Sequence, residues 1–448
     1  MPNVLLIHPA QESVPFRTPH LGLAILAAVL KNGGHRVRTL DYALPDQRAP
    51  YPVFEDLVGE FRPDVVGLSV YSVTVSAARS LAERLKRTAD VPVVVGGAHA
   101  SLNPERVLAE PCVDTVVTGE AEGAILEVVE NPEKYRKQIV PGQPADVATL
   151  PMPDFSSFLN HERITVYPLM TSRGCPFNCS FCCIHRIASK QWRPRPLDAC
   201  FRELDEARAR LPRLERVEIH DDCPTANRER FKEFLRAFLA RGYGLALEVA
   251  NVRADTVDDE LVQLLKRAGS DALCIAVEHA NPEVFSLIDK GETLEDIERA
   301  ARIIKQQGME LRLCFVIGLP GDNLARTEES IRLAKRLRPS LIYWNMAHPF
   351  PGTRMRTWFE EHGGVLYLDD DSASYRCPSL WCDEPVVETP DFTRAERKQA
   401  KFLAAIETDH YDLKGAGILR VLRDAHRYGY TCRAARSILR KLLGVPCH

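Results

Sequence analysis

The sequence predicts an α/β fold in which a doubly wound parallel sheet is followed by a partial, TIM-like (β/α)6 barrel and a mostly helical C-terminal extension. Three observations support this prediction. Strand-like apolar runs alternate with amphipathic helical segments over residues 1–125, and six more such units follow between residues 166 and 347. Residues 355–448 have a mixed pattern that ends in an arginine-rich helical tail.

The composition is that of a folded globular protein. Of the 448 residues, 45% are hydrophobic and 27% are charged, which is ordinary for well-packed domains. The 58 basic and 61 acidic residues leave a net charge of −3, so we expect no nucleic-acid partner. No apolar run approaches the roughly 20 residues that span a bilayer, and the N-terminus enters a strand without a basic leader. We therefore expect a cytoplasmic protein with no membrane partner.

Prolines and a loss of periodicity mark the domain boundaries. Residues 131–160 contain Pro141-Gly-Gln-Pro144 and Pro151-Met-Pro153, which indicate a linker. We therefore expect a Rossmann-like domain over residues 1–130, the barrel over 161–354 and the extension over 355–448.

The first domain is predicted from five strands with helices between them. Helix 21–32 is closed by two glycines, and a second helix covers 76–88. In such sheets ligands bind beyond the carboxyl ends of the strands, and small or polar residues there admit a large ligand close to the backbone. The predicted strands are 4–8, 35–41, 65–70, 91–96 and 115–119, and the residues near their ends include Ser69, Ser72, Gly96, Gly97, His99, Gly119 and Glu120.

The barrel is predicted from six strands that alternate with helices. Its chemistry is expected where the strands end. The strands are 166–172, 216–221, 245–251, 272–278, 310–318 and 341–347, and the helices between them include 226–241, 257–268, 294–307 and 327–336.

The spacing of three cysteines gives the most specific chemical signal. Directly after the first barrel strand, Thr171-Ser-Arg-Gly-Cys-Pro-Phe-Asn-Cys-Ser-Phe-Cys182 places Cys175, Cys179 and Cys182 at C-x3-C-x2-C. Thiolates so close together select an iron–sulfur cluster or zinc. A cubane cluster held by three thiolates keeps one iron open to a further ligand, whereas structural zinc needs a fourth residue such as Cys183 or His185. The spacing leaves both interpretations open.

With this loop, the sequence resembles the radical S-adenosylmethionine enzymes. The match extends to later barrel strands through Val217-Glu-Ile-His-Asp-Asp222, Ile275-Ala-Val-Glu278 and Phe315-Val-Ile-Gly-Leu-Pro-Gly321. The resemblance implies that the three cysteines hold a [4Fe–4S] cluster, which binds S-adenosylmethionine and cleaves it to a 5′-deoxyadenosyl radical. It also implies that Phe181 packs near the adenine.

Three charged residues at barrel strand ends are candidates for contacts to S-adenosylmethionine, which carries a sulfonium, an amino group and a carboxylate. Glu278 offers an anionic contact for the ribose and amino group, and Arg253 offers a cation for the carboxylate. Asp221, together with Asp222, offers carboxylates for ligand or substrate. The structural alternatives are a rim ion pair for Glu278 and Arg253 and a cap on the following helix for Asp221.

The N-terminal domain resembles the cobalamin-binding domain that precedes the barrel in one large subgroup of these enzymes. The match depends on Pro19-His-Leu-Gly-Leu-Ala24, Gly67-Leu-Ser-Val70, Gly96-Gly-Ala-His-Ala100 and Gly119-Glu-Ala-Glu122. No Asp-x-His-x-x-Gly occurs where a histidine would ligate cobalt from below, and this subgroup often lacks that histidine. The alternative for His99 is a hydrogen-bonded loop residue. The resemblance implies that cobalamin is contacted by Ser69, Ser72, Gly96, Gly97, His99, Gly119 and Glu120.

Together the two resemblances imply a methyltransferase that acts on an unactivated carbon or phosphorus of a small-molecule substrate. Its expected partner is an external one-electron reductant of the flavodoxin or ferredoxin type. One alternative keeps the radical step, with cobalamin absent or non-methylating, and gives ring formation, rearrangement or oxidation. A second alternative is a non-catalytic regulator that binds a corrinoid or zinc. Cys377 and Cys382 are predicted to be buried or substrate-near cysteines outside the barrel motif.

Overall fold

The structure is a computed structural model that describes residues 1–9, 18–42, 54–367, 384–411 and 417–443. These residues form two units. The first contains residues 1–176 and 183–249, and the second contains residues 177–182 and the described residues from 250 onward. The cysteine loop therefore contributes to both units, because Cys175 belongs to the first, and Cys179 and Cys182 belong to the second. Cys377 and Cys382 lie outside the described residues.

A six-stranded parallel sheet forms the N-terminal part of the first unit, with the strand order β2-β1-β3-β4-β5-β6. The order reverses at β1, so the carboxyl ends of β1 and β3 flank the switch point at which such sheets bind ligands. The elements are β1 (Asn3–His8), α1 (Leu21–Asn32), β2 (Arg36–Asp41), α2 (Phe54–Phe61), β3 (Val65–Ser69), α3 (Val75–Thr88), β4 (Val93–Gly96), α4 (Ala98–Leu102), α5 (Pro104–Ala109), β5 (Thr115–Thr118), α6 (Ile125–Glu130) and β6 (Gln138–Pro141).

Burial explains which strands could be predicted. Every residue of β3 is buried, and Leu5 and Ile7 of β1 join one apolar core with residues of the helices. Strand β6 was not predicted, although it pairs with β5 from Gln138 to Pro141. Its four residues are only partly buried or exposed, so the apolar run by which a strand is recognised is missing.

The rest of the first unit contains three more parallel strands in the order β11-β10-β7. The helices that cover them pack through stacked aromatic rings, with Phe201 and Phe234 at 5.3 Å between centroids. The elements are β7 (Val166–Leu169), β8 (Ser172–Arg173), α7 (Ile184–Ile187), β9 (Arg193–Pro194), α8 (Leu197–Arg210), β10 (Arg216–Ile219), α9 (Arg228–Arg241) and β11 (Ala246–Val249).

The second unit contains a parallel sheet in the order β12-β13-β14, followed by the helical extension. In β13 buried residues alternate with exposed or half-buried ones, so one face packs on the helices. The elements are α10 (Asp259–Arg267), β12 (Ala272–Glu278), α11 (Pro282–Leu287), α12 (Leu294–Gln306), β13 (Glu310–Ile317), α13 (Leu324–Leu337), β14 (Leu341–Met346), α14 (Arg354–Glu361), β15 (Val365–Leu366), β16 (Val387–Glu388), α15 (Arg394–Glu407), α16 (Gly417–Arg427) and α17 (Thr431–Leu443).

The predicted fold class is confirmed. An N-terminal parallel sheet comes first, six parallel strands alternate with helices after it, and the C-terminal part is mostly helical. In the part of the chain that the structure describes, no helix combines the length and the apolar character that crossing a membrane requires.

Candidate functional site

His20 and Ser69 meet at the carboxyl edge of the N-terminal sheet. His20 precedes α1, and its Nδ1 accepts a hydrogen bond from the Leu23 amide at 3.1 Å. Because Nδ1 accepts, the ring proton lies on Nε2, which donates to Ser69 Oγ at 2.9 Å. Burial lowers the pKa of His20 to about 3, so its imidazole is neutral at physiological pH.

His8, Asp41 and Tyr71 surround this histidine. His8 Nδ1 lies 3.1 Å from Asp41 Oδ1, and Asp41 Oδ2 accepts from the His20 amide at 2.8 Å. The ring centroids of His8 and His20 are 4.6 Å apart, and the Tyr71 ring stacks on His20 at 5.7 Å. Tyr71 is 36% exposed, so the switch point presents an accessible aromatic ring beside polar groups.

Four of the predicted cobalamin contacts lie in two connected loops. The Val70 amide donates to the Gly96 carbonyl at 2.9 Å, and the His99 amide donates to the Val70 carbonyl at 3.0 Å. Ser72 Oγ lies 3.0 Å from His99 Nδ1, and burial lowers the pKa of His99 to about 4. Gly97 has φ +94°, and a Cβ there would lie 2.8 Å from the Val70 nitrogen. The close approach of the two loops therefore requires glycine.

Gly119 and Glu120 follow β5. The Gly119 amide donates to Ser101 Oγ at 2.9 Å. Glu120 Oε2 accepts from Arg173 Nη1 at 2.9 Å, and Arg193 bonds both oxygens of the same carboxylate. Burial raises the pKa of Glu120, but the two arginines bring it below its ordinary value. The charge of Glu120 is thus already neutralised within the protein.

The start of the cysteine loop is fixed within the first unit. The Gly174 amide donates to Asp222 Oδ2 at 2.7 Å, and with φ +89° a Cβ at Gly174 would lie 2.3 Å from the Gln191 carbonyl oxygen. His185 Nε2 lies 2.9 Å from the Cys175 carbonyl oxygen. This contact occupies a ring nitrogen of a residue considered as the fourth zinc ligand.

Asp221 holds the segment that leads into the loop. Its carboxylate accepts from the Thr171 amide at 2.6 Å, from Thr171 Oγ1 at 2.6 Å and from Ser172 Oγ at 2.5 Å. Burial raises the pKa of Asp221. The following helix, α9, is capped by Asn227, so the alternative that Asp221 caps it is wrong.

Residues 177–182 are held within the second unit. The Ser180 amide donates to the Ile288 carbonyl at 2.8 Å, and the Met355 amide donates to the Ser180 carbonyl at 2.9 Å. Phe181, the predicted adenine contact, is partly buried against an apolar core that contains Ile288 and Met355. The loop is therefore anchored between its second and third cysteines.

Arg253 supports the same loop. Its guanidinium carbon lies 3.5 Å from the centroid of the Phe177 ring. Nη1 donates to the Lys290 carbonyl at 2.8 Å, while Nε and Nη2 donate to the Asp255 carboxylate at 3.0 and 2.9 Å. All three guanidinium nitrogens of Arg253 thus have partners within the protein. This arrangement agrees with the structural alternative for Arg253, an ion pair at the barrel rim.

Glu278 ends β12 in an unusual conformation. Its φ is +65°, at an irregularity in the pairing of β12 with β13. Its carboxylate lies 3.6 Å from Lys290 Nζ, which lies 3.1 Å from Glu292. Burial raises the pKa of Glu278, whereas the two carboxylates raise the pKa of Lys290 although burial lowers it. The charge of Cys179 adds to the rise in the pKa of Lys290.

The donor set of the cysteine loop fits an iron–sulfur cluster by its chemistry. Cys175 and Cys179 are partly buried and Cys182 is exposed. The thiolate is the form in which cysteine binds a metal. Over the described ranges, no three His, Cys, Asp or Glu side chains are already arranged around a metal position.

Lys290, Glu292, His20 and Tyr71 were not predicted as site residues. Lys290 lies in the short loop between α11 and α12, outside the motifs quoted above. His20 and Tyr71 stand inside or beside the quoted cobalamin-domain motifs, but nothing in the sequence shows that their rings stack.

Two protein-family models match the chain. The one described as a B12 binding domain matches residues 7–129, and the one described as the Radical SAM superfamily matches residues 169–334.

Curated relatives include two kinds of enzyme. A protein described as an uncharacterized methyltransferase from Pyrococcus horikoshii is 28% identical over 381 residues, which cover 79% of this chain and 82% of that protein. An anaerobic magnesium-protoporphyrin IX monomethyl ester cyclase from Rubrivivax gelatinosus is 26% identical over 404 residues, which cover 82% of this chain and 71% of that protein.

A solved structure shares the fold. The radical S-adenosylmethionine methyltransferase TsrM from Kitasatospora setae, with cobalamin and a [4Fe–4S] cluster bound, superposes with a TM-score of 0.70 at 16% identity. The match covers 98% of this chain and 99% of that one. The predicted enzyme class is confirmed over the non-catalytic alternative. The motifs and the two family matches show that the chain combines a B12 binding domain with a Radical SAM domain, which implies a [4Fe–4S] cluster, S-adenosylmethionine and cobalamin as its cofactors.

Proposed function

We propose that the enzyme transfers a methyl group to an unactivated carbon or phosphorus atom of a small-molecule substrate. The observation that carries this proposal is the presence of a B12 binding domain and a Radical SAM domain in one chain. The Pyrococcus relative is described as an uncharacterized methyltransferase and is matched over 82% of its length, and it supports the same reaction.

The chain's own residues bind and orient the cofactors. When bound, the cluster and S-adenosylmethionine supply a radical that removes a hydrogen atom, and cobalamin supplies the methyl group. Cys175, Cys179 and Cys182 would hold the cluster on a loop that hydrogen bonds anchor on both sides. Because Cys182 is exposed, an external one-electron reductant of the flavodoxin or ferredoxin type has access to this loop.

The charges around Glu278 favour the binding of a positively charged ligand. Glu278, Glu292 and Asp255 carry three negative charges against the positive charges of Lys290 and Arg253. Lys290 lies closer to Glu292 than to Glu278, so Glu278 has the weaker internal partner. Glu278 is therefore the carboxylate that we assign to the positively charged groups of S-adenosylmethionine.

The carboxyl edge of the N-terminal sheet, near its switch point, suits a large ligand that is held mainly by hydrogen bonds. Ser69 and Ser72 each bond a histidine whose pKa burial lowers, so these groups carry no charge at physiological pH. The exposed ring of Tyr71 offers an apolar face beside them. We assign Ser69, Ser72, His99 and the backbone near Gly96, Gly97 and Gly119 to cobalamin, and Glu120 to the support of this edge.

A second candidate is a radical cyclase that uses cobalamin without methylation. The Rubrivivax relative, described as a cyclase, favours it because it matches 82% of this chain. The two reactions differ in the fate of the methyl group of S-adenosylmethionine.

The fate of that methyl group gives the test. The enzyme is purified anaerobically, loaded with iron, sulfide and hydroxocobalamin, and incubated with dithionite and S-adenosylmethionine that carries a deuterated methyl group. Mass spectrometry of the extracted cobalamin should show the label. If cobalt is retained and 5′-deoxyadenosine forms while the cobalamin stays unlabelled, the methyltransferase proposal is wrong and the cyclase is favoured.

A further inference from the structure

A buried arginine of the C-terminal extension reaches the turn that follows β13. Arg397 lies in α15 and is only 1% exposed. Its Nη1 donates to the Gly318 carbonyl at 2.7 Å, and its Nε donates to the Phe392 carbonyl at 3.0 Å. The guanidinium also lies 4.8 and 5.7 Å from the ring centroids of Phe392 and Phe359.

Gly318 is held from both sides. Its amide donates to Asp322 Oδ2 at 2.7 Å, while its carbonyl accepts from Arg397. Gly318 has φ +85°, and a Cβ there would lie 1.9 Å from Arg397 Nη1. The arginine therefore occupies the space that any side chain at position 318 would need, and both peptide groups of Gly318 are fixed.

Asp322 connects this turn to the end of β12. His279 Nδ1 accepts from the Asn281 amide at 3.0 Å, so Nε2 carries the proton and donates to Asp322 Oδ1 at 3.0 Å. His279 directly follows Glu278, whose backbone has a positive φ. A chain of buried contacts thus leads from Arg397 through Gly318, Asp322 and His279 to Glu278.

Burial of the Arg397 cation carries a desolvation cost. Nη2 of Arg397 is buried and has no hydrogen-bond acceptor among the described residues. Burial lowers the pKa of Arg397 to about 10, so the side chain is still charged at neutral pH. An apolar side chain would avoid the desolvation of this charge, but it could not bond the Gly318 carbonyl.

We propose that Arg397 is a positioning residue that fixes the Gly318 turn and, through Asp322 and His279, the Glu278 carboxylate for binding S-adenosylmethionine. This inference rests on the contact between Glu278 and the cofactor assigned above. It gives the C-terminal extension a part in the cofactor site, although the extension carries none of the family motifs.

Three variants test the proposal on the cluster-loaded enzyme. Arg397→Met removes the donor and keeps much of the volume, Arg397→Lys keeps the charge, and Lys398→Met changes the neighbouring residue, which pairs with Glu384 at the surface. The dissociation constant of S-adenosylmethionine should rise about tenfold for Arg397→Met and less for Arg397→Lys. It should not change for Lys398→Met.

Hydrogen–deuterium exchange of the protein without S-adenosylmethionine provides a second readout. The amides of residues 278–281 and 318–323 should exchange faster in both Arg397 variants than in Lys398→Met. A lower melting temperature with unchanged affinity and unchanged exchange would show that Arg397 is merely structural and would overturn the proposal. If Arg397→Met does not fold, the same comparison is made with Arg397→Lys.

A Glu278→Gln variant separates the positioning role of Arg397 from the assignment of Glu278 to S-adenosylmethionine. If it binds S-adenosylmethionine as tightly as the wild type, the assignment of Glu278 is wrong. The exchange data still report whether Arg397 controls the ends of β12 and β13.

Discussion

The ammonium of Lys290 lies 3.6 Å from the carboxylate of Glu278, yet Glu292 lies closer to the same ammonium at 3.1 Å. Two carboxylates therefore share one buried cation. Burial raises the pKa of Glu278 because this shared cation only partly offsets desolvation. A second positive charge brought by a ligand would stabilise the ionised carboxylate.

The pH dependence of cofactor binding should follow Glu278. Its pKa lies above the ordinary 4.5, so the carboxylate gains a proton at a pH higher than that of an exposed glutamate. The affinity for S-adenosylmethionine should fall as the pH decreases through this raised pKa, by up to about tenfold per unit below it. Glu278→Gln should bind weakly with a flat profile. Equilibrium dialysis checks this, and parallel profiles for the two proteins would contradict it.

Iron content should distinguish the cysteines. Cys175→Ser, Cys179→Ser and Cys182→Ser should each retain well under the roughly four irons per chain of a complete cluster. Cys183→Ser is the matched control, because Cys183 directly follows the loop and is no predicted ligand. This variant should retain the iron content of the wild type. Colorimetric iron and sulfide analysis after anaerobic reconstitution provides the measurement. Equal iron loss in Cys183→Ser and Cys179→Ser would argue for a different ligand set.

Gly97→Ala should weaken the cobalamin edge. The new Cβ would lie 2.8 Å from the Val70 nitrogen at a positive φ, so we expect a cost of about 1–3 kcal/mol and poorer retention of cobalamin. Gly123→Ala is the control, because a Cβ there meets no atom within 4 Å and should change stability by less than about 0.5 kcal/mol. Chemical unfolding and the cobalt content after gel filtration measure both effects. Similar behaviour of the two variants would count against a conformational requirement at Gly97.

Asp221→Asn should destabilise the entry to the cysteine loop. The carboxylate accepts three hydrogen bonds from Thr171 and Ser172, and an amide would present a donor to at least one of these groups. We expect a loss of about 2–3 kcal/mol in the free energy of unfolding. Asp222→Asn keeps an oxygen for its one described amide partner, Gly174, and should cost about 1 kcal/mol or less. Urea titration compares the pair, and equal costs would contradict the assigned role of Asp221.

The fold and the cofactors could be predicted because their signals are local. Apolar runs mark the buried strands, and the cysteine spacing lies within eight consecutive residues. Strand β6 was missed because an exposed edge strand needs no apolar run. The bond from Arg397 to Gly318 joins residues 79 positions apart, and no periodicity encodes such a contact.

Arg253 shows a different reason for incomplete prediction. The sequence marks it as a cation at a strand end, but its partners are the Asp255 carboxylate, two backbone carbonyls and the Phe177 ring, which the fold brings together. A charged residue at a barrel rim can bind a ligand or hold the loop that binds the ligand. Only the positions of its neighbours distinguish these roles.

The two borders of the N-terminal sheet differ in how they end the hydrogen-bond ladder. On one side, β6 is only four residues long and finishes with Pro141, which has no amide hydrogen to donate. On the other side, the Thr39 carbonyl of β2 accepts from the Leu159 amide at 3.0 Å, so a later segment of the same chain already occupies that border. Over the described residues, one edge strand is thus short and the other is bridged at Thr39, and both features shorten the row of backbone groups that a strand from another molecule could pair with.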